Sequence, residues 1–421
     1  MPNTIPADRQ HAEHKRLRDE YARLKSLSLS LDMTRGKPSA AQLDLSNRVL
    51  ALPADEYVYT DGDARIDTRN YGGLDGLPAV KRLFAEILEV EPQQVIVGGN
   101  SSLTLMHDTV ARACLFGAVD GDRPWSRIED RKFICPSPGY DRHFLITEHL
   151  GFELLAVEMR EDGPDMDQVE EIAGADDAVK GIWCVPRHSN PDGACYGART
   201  VRRLAEMQTA AADFRILWDN AYAEHHLFDP PPPLESIARC CAHAGNPNRV
   251  VQFASTSKIV HPGSSVAAMA MSEANAADAR AHIAAQSIGP DKVNQLRLAQ
   301  LFGDLAALRA HMKKHAALVK PKFDLVQEIL ARELGDAKYV RWTQPKGGYF
   351  ISLDTADGTA ARAVRLADDA GVKLTAAGAP FPYGNDPRDR NIRIAPTFPP
   401  LDDIRQATEV LAVCVQLAAS E

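Results

Sequence analysis

Seven short runs of apolar and β-branched residues alternate with amphipathic stretches between about residues 94 and 270. Strands that alternate with helical patterns are typical of βαβ units and of a mostly parallel sheet. The predicted strands cover residues 94–97, 132–135, 153–158, 180–185, 214–218, 249–254 and 266–271. The sequence therefore predicts an α/β fold with a mostly parallel seven-stranded sheet. Ligands bind at the carboxyl edge of such sheets, so the residues that follow each strand carry the functional information.

The length of the chain predicts two domains, because 421 residues exceed what one hydrophobic core usually serves. A helical stretch from about 291 to 334 shows no strong break and predicts a helix that bridges the domains. Strands near 338–342, 348–353 and 391–395, with helices 359–370 and 401–419, predict a smaller α+β domain. We expect residues 1–49 to form an N-terminal arm and part of the small domain, 50–300 the large domain, and 301–421 the bridging helix and small domain.

Charge and composition exclude several classes of protein. The net charge is −9 and the basic residues are scattered, which gives no electrostatic footprint for nucleic acid. No window of 18 uncharged apolar residues predicts a membrane span, and the polar first ten residues lack the apolar core of a signal peptide. The seven cysteines show no C-x-x-C spacing, so we expect reduced thiols, no metal site and a cytoplasmic location.

A lysine follows the predicted strand 249–254. Lys258 precedes Pro262 and Gly263, so it lies on a turn that leaves the carboxyl end of the strand. Partial desolvation there lowers the pKa of a lysine and yields a neutral amine. Such an amine attacks a carbonyl carbon, and the aldehyde of pyridoxal phosphate is the obvious one. The alternative is a solvated surface lysine, which is the commoner case.

An aspartate and a tyrosine follow strand 214–218 directly. A carboxylate at the end of an apolar strand needs a cationic partner, and the protonated ring nitrogen of pyridoxal phosphate would be one for Asp219. That proton lets the ring absorb electrons from a carbanion. We expect the hydroxyl of Tyr222 to reach the 3′ oxygen of the ring. The alternative is that Asp219 caps the next helix and Tyr222 packs in the core.

An Asn-Pro-x-Gly turn follows strand 180–185 and begins at Asn190. Such a sequence forms a turn by itself. At the same sheet edge, we expect the Asn190 amide to donate to the 3′ oxygen that Tyr222 approaches. Two donors there would lower the pKa of an imine formed by Lys258.

Small polar residues follow strand 94–97 and precede the predicted helix 103–116. Asn100, Ser101 and Ser102 place free backbone N–H groups at the positive end of a helix dipole, which suits a phosphate. Ser255, three residues before Lys258, completes the predicted phosphate site. The alternative is that a serine serves only as an ordinary N-cap.

Two further residues are candidates for ligand contacts. Tyr140 follows strand 132–135, where its ring would stack on a pyridine face or pack against the domain core. Arg393 lies on the strand face opposite Ile392 and Ile394, where a guanidinium grips a carboxylate with two hydrogen bonds. Its alternative role is a structural salt bridge.

The order of these residues resembles that of the class I aminotransferases of pyridoxal phosphate fold type I over essentially the whole chain. The residues that carry the resemblance are Asn100, Ser101, Ser102, Tyr140, Asn190, Asp219, Tyr222, Ser255, Lys258 and Arg393. The resemblance implies pyridoxal 5′-phosphate held as a Schiff base on Lys258, with catalytic roles for Asp219 and Tyr222. It also implies an amino acid and a 2-oxo acid as small-molecule partners.

Two more positions are similar to family residues. Tyr71 resembles the tyrosine that reaches the phosphate of the neighbouring subunit, which implies a homodimer with shared active sites. Gly36 resembles the glycine of the N-terminal loop that closes over the substrate.

Residues 32–38, 139–143 and 288–292 resemble the aspartate aminotransferase subgroup called class Ic. One departure concerns the phosphate, because Val266 stands where most class I members carry an arginine eight residues after the lysine. The usual pattern for binding the side-chain, or distal, carboxylate of the substrate is also missing. Arg35, Lys37 and Lys292 are the candidates to bind it.

We therefore expect a ping-pong aminotransferase that moves the amino group of aspartate or glutamate to a 2-oxo acid such as 2-oxoglutarate. An aromatic amino acid or 2-aminoadipate is an alternative donor, and a β-lyase or decarboxylase would use the same cofactor residues. A regulator built on this scaffold would need a DNA-binding module, for which residues 1–30 are too short.

Overall fold

A computed structural model describes residues 7–420, with side chains from residue 11 onward. The helices are α1 Ala7–Ser26, α2 Ala40–Asp44, α3 Pro78–Leu88, α4 Ser102–Phe116, α5 Asp141–His149, α6 Met166–Ala175, α7 Ala198–Glu206, α8 Ile237–His243, α9 Glu273–Gln286, α10 Lys292–Phe302, α11 Leu305–Leu334, α12 Ala360–Asp369 and α13 Leu401–Ser420. The strands are β1 Leu31–Asp32, β2 Val58–Asp61, β3 Ala64–Asp67, β4 Val95–Val97, β5 Lys132–Ser137, β6 Glu153–Arg160, β7 Gly163–Pro164, β8 Val179–Cys184, β9 Arg215–Asp219, β10 Val250–Ser255, β11 Ala267–Met271, β12 Arg341–Trp342, β13 Ile351–Asp354, β14 Val372–Lys373 and β15 Asn391–Ile394.

The largest sheet has the strand order β4-β11-β10-β9-β8-β5-β6-β7. Strands β10, β9, β8, β5 and β6 are parallel to their neighbours within that run, whereas β11 pairs antiparallel with both β10 and β4. The predicted α/β class and the mostly parallel sheet are confirmed. The predicted count of seven strands is one too low, because β7 has only two residues and leaves no periodic hydrophobic signal.

The predicted unbroken helix from 291 to 334 is wrong. The chain forms α10 and α11, separated at Gly303, whose φ of +72° is a left-handed conformation that glycine adopts without strain. The Asp304 side chain then accepts a hydrogen bond from the Ala307 N–H and caps α11. A Gly-Asp pair inside an amphipathic pattern is therefore the signal for this break.

The segment from 34 to 70 contains a short helix and a hairpin. α2 lies in its first half, and β2 pairs antiparallel with β3 in its second. Both hairpin strands are only four residues long and none of their residues is buried, so their hydrophobic signal is weak.

The N-terminal segment packs against the C-terminal part of the chain. One buried apolar cluster joins Leu17, Leu24 and Met33 to residues between Val319 and Ala418, and β1 pairs in parallel with β14. The proposed domain boundaries at 49 and 300 stay predictions. The contacts nevertheless place the N-terminal loop 33–38 beside β15, which carries Arg393.

Within residues 7–420, no helix combines the length and apolar character needed to span a membrane. All seven cysteines are free thiols, and five of them are buried. The same part of the chain holds no cluster of three potential metal ligands among its His, Cys, Asp and Glu side chains.

Candidate active site

The predicted site residues follow the carboxyl ends of neighbouring strands. Lys258 follows β10, Asp219 ends β9, Asn190 follows β8 and Tyr140 follows β5, and these four strands are adjacent in the sheet. The sheet topology therefore brings residues far apart in sequence to one edge.

Lys258 lies on the turn after β10, with its ammonium group over the Tyr222 ring at 4.8 Å from the ring centre. Burial lowers the pKa of this lysine, and the Asp219 carboxylate partly opposes that shift. The main-chain oxygen of Lys258 accepts hydrogen bonds from the Tyr349 hydroxyl at 3.4 Å and from Nε2 of His225 at 3.3 Å. The turn that carries the amine is therefore held by two residues that local sequence patterns did not identify.

Asp219 is only 3% exposed. Its Oδ2 accepts a hydrogen bond from Nε2 of His143 at 2.9 Å, and the imidazole ring stacks on Trp183. Its Oδ1 is buried and has no hydrogen-bond partner within the described residues. The helix-capping alternative for Asp219 is wrong, because the next helix begins at Ile237 and Ser236 caps it.

Tyr222 and Asn190 are buried beside these groups. Burial raises the pKa of Tyr222 well above its ordinary value, with further contributions from nearby Tyr140 and Asp219. Oδ1 of Asn190 accepts a hydrogen bond of 3.4 Å from the Nη1 of Arg393. Asn190 therefore connects the sheet edge to β15.

Tyr140 is half-buried, and its ring meets His143 edge to face, with 4.9 Å between ring centres. Burial, followed by the charges of Asp219 and Asp141, raises the pKa of Tyr140 to about 12. The hydroxyl is therefore protonated at neutral pH. The structure allows both stacking on a ligand and packing, so the role of Tyr140 stays a prediction.

Hydroxyl groups converge on the start of α4. Ser257 and Ser265 both donate to the main-chain oxygen of Asn100, and Ser255 donates to Ser257 at 3.1 Å. Ser101 is the N-cap position of α4, yet its side chain makes no capping hydrogen bond. These hydroxyls lie where the positive end of the α4 dipole favours an anion.

Val266 is 2% exposed and belongs to an apolar core cluster. Position 266 therefore faces away from the hydroxyl cluster and cannot supply it with a cation. The adjacent Ser265 takes part in the cluster instead, which no prediction from the sequence included.

Arg393 has a charged partner and two neutral ones. Its Nη1 donates to Oδ1 of Asp141 at 3.1 Å as well as to Asn190, and its Nη2 donates to Thr375 at 3.2 Å. The guanidinium carbon lies 5.0 Å from the centre of the Phe350 ring. The structural salt bridge weighed as an alternative is therefore present, with Asp141 as the acid.

Phe350 also contacts Gly36 of the N-terminal loop. A Cβ added at this glycine would come within 2.4 Å of the ring, so only glycine fits without a shift of Phe350. Phe350 therefore contacts both the N-terminal loop and the guanidinium of Arg393. The role of Gly36 at the substrate site stays a prediction.

The structure does not bring Tyr71 to the residues at the sheet edge, and its side chain is 83% exposed. The neighbouring Gly72 oxygen accepts a hydrogen bond of 2.6 Å from Nζ of buried Lys292. Of the other candidates for the distal carboxylate, Arg35 is exposed and Lys37 lies 3.8 Å from the centre of the Phe398 ring.

Comparison with known proteins places the chain among aminotransferases. The sequence model of the family described as aspartate amino-transferase matches residues 6–421. An aspartate aminotransferase of Corynebacterium glutamicum is 47% identical over 416 residues, which cover 99% of this chain and 95% of that protein. The crystal structure of an aspartate transaminase from Corynebacterium glutamicum superposes with a TM-score of 0.96 at 46% identity, covering 99% of this chain and 97% of that one.

A more distant structure shares the fold. The α-aminoadipate aminotransferase LysN of Thermus thermophilus, complexed with N-(5′-phosphopyridoxyl)-L-leucine, is 20% identical and has a TM-score of 0.74. It covers 93% of this chain and 93% of its own.

Proposed function

Because this chain belongs to the aspartate aminotransferase family, we propose that it uses pyridoxal 5′-phosphate to move the amino group of aspartate or glutamate to a 2-oxo acid such as 2-oxoglutarate. The family makes it an aminotransferase. The choice of donor, the cofactor and the roles of individual residues are the proposal.

One observation carries the proposed cofactor: the buried Oδ1 of Asp219 lacks a hydrogen-bond partner within the described residues. A buried carboxylate oxygen without a partner is costly, and a protonated ring nitrogen would satisfy it. The amine of Lys258, with its lowered pKa, suits covalent attachment to an aldehyde. The hydroxyl cluster at α4 suits a phosphate. The residues present therefore fit pyridoxal phosphate.

When bound, pyridoxal phosphate supplies a ring that takes up the electron pair left on the substrate Cα after proton removal. Asp219 holds the proton on the ring nitrogen, and His143 fixes the orientation of Asp219. Tyr222 and Asn190 would donate to the 3′ oxygen. Nζ of Lys258 would accept the proton that leaves the substrate Cα and would return it at the 4′ carbon.

The residues at β15 orient the substrate. Arg393 binds the α-carboxylate, and the Gly36 loop, which also contacts Phe350, covers that end of the site. Both half-reactions use these same residues, so the first product leaves before the second substrate binds, in ping-pong order.

We propose a homodimer with shared active sites. The support is Tyr71, a large aromatic side chain that is 83% exposed, next to the pair formed by Gly72 and Lys292. In the dimer, Tyr71 of each subunit would contact the phosphate held by the other. A cytoplasmic location stays a prediction from the sequence.

The test is purified protein with aspartate and 2-oxoglutarate, with oxaloacetate followed by a coupled dehydrogenase. Glutamate should form in equal amount to oxaloacetate, and Lys258→Ala should abolish both. Release of ammonia or carbon dioxide without glutamate would favour a β-lyase or decarboxylase instead. Faster turnover with an aromatic amino acid or 2-aminoadipate would overturn the proposed donor.

A further inference from the structure

The guanidinium of Arg393 already has an acceptor at each terminal nitrogen. Nη1 faces Asp141 and Asn190, Nη2 faces Thr375, and the side chain is only 8% exposed. Nε is buried against protein without a hydrogen-bond partner in the described part of the chain. Both N–H groups of Nη1 are therefore occupied, and the burial of Nε closes the pair that it forms with Nη2. A carboxylate that binds to both terminal nitrogens must replace Asp141 or Asn190 at Nη1.

Asp141 is the acceptor suited to leave. Asn190 is buried and neutral, and Thr375 donates its own proton to the main-chain oxygen of Thr34. The Asp141 side chain is 35% exposed, and it is the first residue of α5, a nine-residue helix. A carboxylate that rotates away from Arg393 there remains hydrated and stays near the positive end of the helix dipole.

We propose that Asp141 is an internal competitor for the substrate carboxylate, which holds Arg393 when no substrate does and yields it on binding. The inference rests on the proposed role of Arg393 as the α-carboxylate site. Asp141 thereby affects substrate affinity. Each substrate carboxylate replaces the Asp141 carboxylate on Arg393, so the substrate binds more weakly than it would to an unpaired guanidinium. The same exchange speeds release of product, because Asp141 returns as the product leaves.

The exchange also selects against simple anions. A ligand that offers only one anionic group gains little by replacing Asp141, whereas a substrate also gains its other contacts in the site. Removing the Asp141 charge should therefore strengthen binding of all carboxylates, whatever their side chain.

The test is binding of succinate, a dicarboxylate that cannot react, to the holoenzyme by titration calorimetry. Asp141→Asn should tighten succinate binding about fivefold, the factor expected for a partly exposed ion pair. KM for aspartate and for 2-oxoglutarate should fall by a similar factor. Glu148→Gln, which removes an exposed charge from the same helix, should change neither quantity.

Weaker or unchanged succinate binding in Asp141→Asn would overturn the inference, because Asp141 would then orient Arg393 or play no part. Asp141→Ala provides a second variant with the same expected gain. In an Arg393→Ala background, the gain from Asp141→Asn should vanish. If Arg393→Ala alone leaves succinate binding intact, the proposed carboxylate site itself fails, which is a distinguishable result.

Discussion

Nε2 of His143 lies 2.9 Å from Oδ2 of Asp219, while the His143 ring stacks on Trp183 with 4.4 Å between ring centres and 9° between ring planes. The aromatic stack holds the imidazole, and the imidazole holds one carboxylate oxygen. The direction of the other oxygen, Oδ1, is therefore fixed before any ligand binds, which is how a preorganised electrostatic group acts.

We expect Asp219→Ala to lower turnover at least about 100-fold, the scale for deleting one preorganised electrostatic group. Some cofactor should remain bound, because Lys258 and the hydroxyl cluster are intact. The measurement is turnover with aspartate, together with cofactor content by absorbance. His143→Gln, which disturbs only the orientation of Asp219, should lose less. Near-normal turnover in Asp219→Ala would remove Asp219 from the proposed role.

Gly36→Ala should raise KM for both substrates, because the new Cβ would lie 2.4 Å from the Phe350 ring that packs against Arg393. The ring is buried next to the guanidinium, so a shift of Phe350 should disturb Arg393. Steady-state kinetics measure the change. Gly174→Ala in α6 is the matched control, since its Cβ would meet only the Gln208 oxygen at 3.7 Å. Equal KM values in Gly36→Ala and wild type would show that this loop takes no part in substrate binding.

Tyr349→Phe should lower the free energy of unfolding by about 0.5–1.5 kcal/mol, the scale for a lost hydrogen bond, because the Lys258 oxygen keeps its bond from His225 and Nε2 of Gln42 stays beside His315. The hydroxyl donates to the Lys258 oxygen and accepts from Nε2 of Gln42 at 3.1 Å. Urea unfolding of the apoenzyme gives the measurement. Tyr339→Phe, at an exposed tyrosine, should change the free energy of unfolding by less than about 0.5 kcal/mol. Equal stability of the two variants would mean that the Tyr349 hydroxyl does not brace the turn.

Buried histidines should make the protein sensitive to acid. Burial lowers the pKa of His226 and of His315 to about 4 and that of His188 to about 3. In the unfolded chain these groups take up protons near pH 6.5, while the folded protein keeps them neutral. Their contribution to stability is therefore complete above pH 6.5 and is lost as the pH falls towards 4. Burial raises the pKa of Asp192 to about 6, so below that pH the folded protein binds a proton there more tightly than the unfolded chain does. This group therefore opposes the loss of stability caused by the histidines.

The measurement is urea unfolding of the apoenzyme between pH 7 and pH 4.5. Each histidine contributes up to about 1.4 kcal/mol per pH unit to the slope. His226→Gln should reduce the pH dependence of the free energy of unfolding by the amount that corresponds to uptake of about one proton. A free energy of unfolding that stays constant or rises as the pH falls through this range would contradict the assignment.

The strands and their carboxyl ends could be predicted because apolar β-branched runs are a local signal. Lys258, Asp219 and Asn190 were found for the same reason, since each follows such a run. The two-residue β7 and the break at Gly303 escaped prediction, because the first has no period and the second sits inside a continuous helical pattern.

Contacts between distant segments could not be read from local patterns. His143 and Asp219 are 76 residues apart, and Asp141 and Arg393 are 252 apart. Asp141 and His143 both lie in the segment 139–143, yet the sequence of that segment does not identify the residues that they contact. Only the fold brings α5 against β9 and β15.

The proposed chemistry depends most on covalent attachment of pyridoxal phosphate to Nζ of Lys258. The direct measurement is borohydride reduction of the purified holoenzyme, followed by peptide mass spectrometry. The expected result is one phosphopyridoxyl group on the peptide that contains Lys258, and none in Lys258→Ala. A protein that takes up no cofactor, or that carries the reduced adduct on a different lysine, would contradict the account.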